Sequence, residues 1–153
     1  MVGCNAQERI SRLEKQNQQL QAEIKKNQAA TDFDLQAKCA RDSKTWFNEN
    51  WSRGDKDTIL LTFTNHYNRV QNKCFILVEY HYSFEKGTTS WANHMTLWDA
   101  YENLKYGEFS ERHQVVTKPE SRIVVSVDTC EVFGKECKTA DEFNNIVRPF
   151  MND

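Results

Sequence analysis

His66, Glu79 and His81 are of the residue types that hold transition metals, imidazole and carboxylate. Glu79 and His81 stand two apart, so on a strand they share a face. A third ligand would have to be His66. A turn over residues 69 to 72 sets His66 opposite Phe75, away from the other two. His94 and His113 fall in other segments. These residues therefore read as the polar face of a sheet, and neither a metal nor another cofactor is expected. A second constellation, His66 and Tyr67 with Trp91, Trp98 and Tyr101, could line a patch for a small polar ligand, with rings to stack on it and polar tips to orient it. The structural role for Asn65, His66, Tyr67 and Asn68 is to hydrogen-bond the turn that follows them. The chain has no G-x-S-x-G, no P-loop and no G-x-G-x-x-G, so no catalytic residue is assigned. Arg53-Gly54-Asp55 fits a helix-ending turn, and Asn50-Trp51-Ser52 is a formal glycosylation acceptor.

Five cysteines carry the other chemistry. Cys39 falls on an apolar helix arc, and Cys74 opens a strand on its inward side. Cys130 and Cys137 bracket Phe133-Gly134, and a two-residue turn there sets them opposite one another. The preferred pairing is Cys39 with Cys74 and Cys130 with Cys137. With a two-residue loop the second pair takes a hydrogen-bonded position, whose wider spacing would call for a bulge if the geometry were poor. The alternative is four buried thiols. Zinc fits badly, because no C-x₂₋₄-C doublet is present. The odd cysteine, Cys4, follows Val2-Gly3 like the end of a bacterial lipobox and is the lipidation candidate. A lipid anchor would require a charged and apolar leader before it, so Met1 would have to fall within a longer reading frame. Read that way the protein is periplasmic or cell-envelope and touches the membrane only through its lipid. Read from Met1 it is cytoplasmic.

The elements that must position these groups divide the chain in two, residues 1–31 and 32–153. Every aromatic residue lies at or beyond Phe33. Before it, Ile10, Leu13, Asn17, Leu20 and Ile24 recur at three- and four-residue steps, a heptad seam with Ile10, Asn17 and Ile24 at a and Leu13 and Leu20 at d. This pattern reads as a helical, coiled-coil-like spacer over about residues 6 to 30. If it associates, it does so as a parallel homodimer. Thr31-Asp32 reads as a break and a new N-cap. Leu35, Cys39, Ala40, Trp46, Phe47 and Trp51 then form the apolar arc of a core helix.

Alternation predicts strands over Thr58–Tyr67, Cys74–Tyr82, Trp91–Tyr101 and Arg122–Val132. The first two make a hairpin, and Glu85-Lys86-Gly87-Thr88 turns the chain toward the third. The polar run Lys105–Pro119 reads as irregular. Thr139-Ala140-Asp141-Glu142 is a capping box opening a last helix, with Phe143, Ile146, Val147 and Phe150 on its apolar side. The expected class is α+β: an antiparallel sheet of about four to five strands with helices packed on one face.

The strings Ala37-Lys38-Cys39, Thr64-Asn65-His66-Tyr67-Asn68 and Asn72-Lys73-Cys74-Phe75 resemble a group of uncharacterised bacterial exported and lipoprotein-like proteins. So do Leu97-Trp98-Asp99-Ala100-Tyr101-Glu102 and the ending from Glu142-Phe143 to Pro149-Phe150-Met151. The resemblance covers about residues 35 to 152. It implies an exported α+β domain and carries no activity. The net charge of -2 gives no electrostatic reason for a nucleic-acid partner. The expected function is a non-enzymatic cell-envelope interaction protein with an unidentified protein partner. The alternative is a small ligand-binding domain or enzyme using His66 and the aromatic patch.

Overall fold

The structure is a computed structural model that describes residues 3–51, 57–83, 90–116 and 122–152, with side chains from Ala6 onward. Arg53-Gly54-Asp55, the Glu85–Thr88 turn, Ser52 of the glycosylation acceptor and the side chain of Cys4 lie outside the described residues. The chain forms two compact units, residues 1–37 and 38–153.

The first unit is helix throughout its described residues. It is the N-terminal part of α1, which runs Gly3–Asn50 without the break expected at Thr31. No Gly or Pro occurs between Cys4 and Arg53, and Ala29, Ala30, Leu35 and Ala37 flank Thr31-Asp32 with helix formers. Instead of capping, the Thr31 hydroxyl donates to the Asn27 carbonyl at 2.9 Å, one turn back. Every residue from 6 to 31 is exposed. Deleting residues 1 to 30 is therefore expected to leave the thermal midpoint of the remainder within a few degrees. A change of ~1 kcal/mol would move a domain of this size by roughly 3–6 °C. Failure of the truncated chain to unfold cooperatively in calorimetry would contradict this.

The second unit is α+β. The last turns of α1 are followed by β1 (Thr58–Asn68), β2 (Lys73–Ser83), β3 (Trp91–Asp99), β4 (Leu104–Val116), β5 (Arg122–Val132), the two-residue β6 (Lys135–Glu136) and α2 (Ala140–Met151). The strands form one antiparallel sheet in sequence order, six rather than four or five. β4 occupies most of the run expected to be irregular. Its charged side chains are satisfied partly across the sheet, where Arg112 donates twice to Asp128 at 2.6 and 2.7 Å, and partly along the strand, where Lys105 pairs with Glu108. Phe109, fully buried, faces the core from the same strand. Gly107 lets β4 approach β5: a Cβ there would meet the Glu131 carbonyl at 3.0 Å and Val132 at 3.1 Å.

The helices cover opposite faces of the sheet, not one. The reason lies in β2, where Cys74, Phe75, Ile76, Leu77 and Val78 are all buried in succession. An uninterrupted apolar run of this kind needs cover on both sides. Ile76 and Val78 meet Trp46 of α1, with Phe47, Trp51, Leu61, Phe63 and Trp98 around them. Phe75 and Leu77, pointing the other way, pack with Leu97, Phe109 and Val132 against Phe143 and Val147 of α2.

Two disulfides follow the pairing preferred from the sequence. Cys39–Cys74 joins α1 to β2, with both residues fully buried. Ser43, equally buried one turn on, sets its hydroxyl 3.2 Å from the Cys74 sulfur. Cys130–Cys137 spans the β5–β6 turn without a bulge, and the Cys137 amide donates to the Cys130 carbonyl at 3.0 Å. The turn is two residues long, with φ of 52° at Phe133 and 73° at Gly134. A left-handed Phe is unfavourable in isolation. Here its ring is held against Phe150 at 4.2 Å and Tyr106 at 4.9 Å. At α2 the Thr139 hydroxyl accepts the Glu142 amide at 3.1 Å, completing the expected N-cap.

Candidate functional site

The register carries the candidate residues to different places. His66 pairs with Phe75, as the turn over 69 to 72 requires. It shares the α2 face with Glu79 and His81 but lies roughly 13 Å or more from them along the strands. Among the described residues no three His, Cys, Asp or Glu side chains group as a metal site. Tyr67 is buried on the α1 face and donates its hydroxyl to Asn72 at 2.6 Å. Asn68 is buried too. It accepts from the Gln71 amide and donates to the Pro149 carbonyl, tying the first hairpin turn to the end of α2.

The five residues of the aromatic patch do not form one surface. Trp91 lies on the α2 face at the end of the sheet far from His66, opposite Ser83. Trp98 lies on the α1 face, its ring 5.4 Å from Trp46. Tyr101 stands in the β3–β4 turn. Trp46 joins the last two: it lines, with Lys38, Asp42, Glu49, Ala100 and Tyr101, an open cleft of about 520 Å³. The Trp46 indole donates to Asn103 at 2.8 Å, which fixes the turn against the helix. Lys38 lies 4.3 Å above the Tyr101 ring and pairs with Asp42 at 2.6 Å. The hydrogen bond to Asp42 raises the Lys38 pKa, so the ammonium stays charged. Burial raises that of the Tyr101 phenol.

Below the cleft, the turn is anchored by Asp99, which is fully buried. Its carboxylate accepts the Tyr101 amide at 2.9 Å and the Lys73 ammonium at 2.8 Å. Hydrogen bonds first to Asp99 and then to Glu102 hold the Lys73 pKa well above its ordinary value. This is a structural clamp on the two turns at this end of the sheet, in which one ammonium bridges two carboxylates and the buried one also accepts the Tyr101 amide.

Two further clusters arise only from the strand register. On the α2 face, beyond the helix, Asn93 donates to Glu111 at 2.9 Å and His113 bonds the same carboxylate at 2.9 Å. Trp91 lies flat on the His113 ring, 4.7 Å away. On the α1 face His94, Thr96 and Trp98 follow one another along β3, and the buried Nδ1, Oγ1 and Nε1 atoms have no hydrogen-bond partner among the described residues. Tyr80 stacks on His94 at 4.8 Å, and burial lowers the His94 pKa despite Glu108 beyond. The imidazole is therefore neutral near pH 7. The buried Ser110 stands opposite His94 across β3 and β4, but His94 Nδ1 makes no hydrogen bond to it among the described residues. The pairs Asn93–Glu111 and Trp91–His113 face each other across β3 and β4, 18 and 22 residues apart in sequence, and no local motif announces them.

The remaining prominent surface is apolar. Ile10, Leu13, Leu20 and Ile24 on α1 are 50–61% exposed, and Ile123, Val124, Val125 and Val127 on β5 are 40–56% exposed. No described helix is long and apolar enough to cross a membrane. Comparison of the chain with protein-family models, with curated proteins and with solved structures gave no match.

Proposed function

We propose that this chain is a non-enzymatic interaction protein of the cell envelope, attached through Cys4 and acting by association of its exposed apolar surfaces with protein. The observation that carries the reading is the seam on α1: four large aliphatic side chains at heptad spacing, each at least half exposed. Full burial of a Leu or Ile side chain is worth roughly 1.5–3 kcal/mol, so leaving four in water is a standing drive toward a partner helix. The two disulfides support an oxidising compartment. The proposed patch residues are dispersed over two faces and a turn, which favours this reading over a ligand site built on His66.

The seam predicts a parallel homodimer, with Asn17 at a selecting register at some cost in stability. Sedimentation of the intact protein should show concentration-dependent association, and Asn17→Ile should strengthen it. An Asn17→Ile protein that remains strictly monomeric at high concentration would refute association through this seam. Attachment at Cys4 further requires an in-frame charged and apolar leader upstream of Met1 in the genomic sequence.

A further inference from the structure

β5 leaves most of one edge open. β4 pairs with it over Arg122–Val127 and Thr129–Val132 on one side, with Asp128 the extra residue of a bulge. On the other side β6 pairs only with Glu131 and Val132. The Cys130 carbonyl accepts the Cys137 amide, and among the described residues nothing pairs with the outer edge of residues 122 to 129. Such an edge presents unpaired N–H and C=O groups, and natural edges are commonly blunted by Lys or Pro. This stretch contains neither; a bulge falls at Asp128, and before it the side chains are apolar on both faces: Ile123, Val125 and Val127 on one, Val124 on the other. Charges stand only at its two ends, Arg122 and Asp128.

We propose that β5 pairs antiparallel with β5 of a second copy of this chain, about a two-fold axis through Val125. In that register Val125 faces itself, Val124 faces Ser126, Ile123 faces Val127, and Arg122 faces Asp128 of the other copy, twice over. The side chains agree with it. Arg122 and Ser126 share the α1 face by alternation, and Asp128 is drawn to that same face by Arg112, whose strand position opposes Ser126. Sliding the pair by one two-residue step either way removes both charge pairs, setting Asp128 against Val124 or Arg122 against Ser126. Charge complementarity and apolar contact thus select one register. The opposite edge of the sheet, β1, has no Asp, Glu, Lys or Arg over Thr58–Asn68 and defines no such register.

A contact of this length is smaller than the roughly 1,200–2,000 Å² of a stable interface. It therefore forms a weak, concentration-dependent pair, favoured when copies are gathered on one surface. It does not rest on the α1 seam, and the test is made without it. Single cysteines are placed at 124 or 125 in the full chain carrying Cys4→Ser, Leu13→Asp and Leu20→Asp.

Across the axis, residues 125 lie about 4.5–5.5 Å apart between Cα atoms, within disulfide reach. Residues 124 lie on a diagonal of roughly 7–8 Å. Under mild oxidation Val125→Cys should give covalent dimer at least roughly ten-fold faster than Val124→Cys. Arg122→Glu, a change at an exposed site, should slow that cross-link several-fold by setting like charges together. Equal rates at 124 and 125, no dimer from Val125→Cys at high concentration, or a rate indifferent to Arg122→Glu would each overturn the proposal. Its failure leaves the α1 seam untouched, because the seam is absent from every protein compared.

Discussion

Cys39→Ser is expected to remove roughly 4 kcal/mol of stability from the α+β unit, by the chain-entropy estimate for a loop of this length. The two cysteines are 35 residues apart, and the bond is a covalent link between α1 and the start of β2. Against a typical total of ~5–15 kcal/mol this is a large share. The variant leaves a free Cys74 thiol at a fully buried position, with the Ser43 hydroxyl at 3.2 Å and the residue 39 carbonyl at 3.5 Å beside it. Cys130→Ser should cost less, roughly 2.5 kcal/mol on the same estimate, because its loop spans seven residues and both its cysteines are only partly buried. Urea unfolding of the two variants measures the difference directly as a shift in midpoint. A Cys130→Ser protein less stable than Cys39→Ser would contradict the ranking. Mass spectrometry of unreduced peptides from the native compartment tests the same bond in place. Free thiols at both 39 and 74 there would remove the disulfide and weaken the envelope reading with it.

Phe75→Ala should cost a comparable amount, roughly 3–5 kcal/mol, the range for deleting a buried aromatic ring from a packed core. Phe75 is fully buried, and its ring meets three separate parts of the fold: Tyr106 of β4 at 5.8 Å, Phe133 of the β5–β6 turn at 6.5 Å and Phe150 of α2 at 5.7 Å. The cavity would also loosen the left-handed Phe133, whose conformation depends on the rings around it. Phe75→Leu keeps most of the volume and should cost less than half as much. Phe33→Ala, at a residue 74% exposed, should fall within about 0.5 kcal/mol of the parent. A loss at Phe75→Ala no greater than at Phe33→Ala would show that the α2 face of the sheet is not packed as described.

What the sequence determined by itself was local. The N-cap at Thr139, the two-residue turn at Phe133-Gly134 and the first hairpin, with His66 opposite Phe75, each depend on a few adjacent residues and their backbone preferences. The α+β class followed from the alternation of strands and helical arcs, and the cysteine pairing from their inward positions. Thr31-Asp32 reads as a break although the helix runs through it, because a side chain that caps can equally bond one turn back.

Only the tertiary structure decided which faces the helices cover, since an apolar run such as Cys74–Val78 does not say where its two lids come from. It also decided that the polar run Leu104–Val116 is a strand, because its charges are satisfied by residues such as Asp128 on the neighbouring strand. The meeting of Asn93, Glu111, His113 and Trp91 depends on the β3–β4 register, a property of two segments paired and of neither alone. The same physics separated His66 from Trp98: the turn that places one and the alternation that orients the other put them on opposite faces of one sheet.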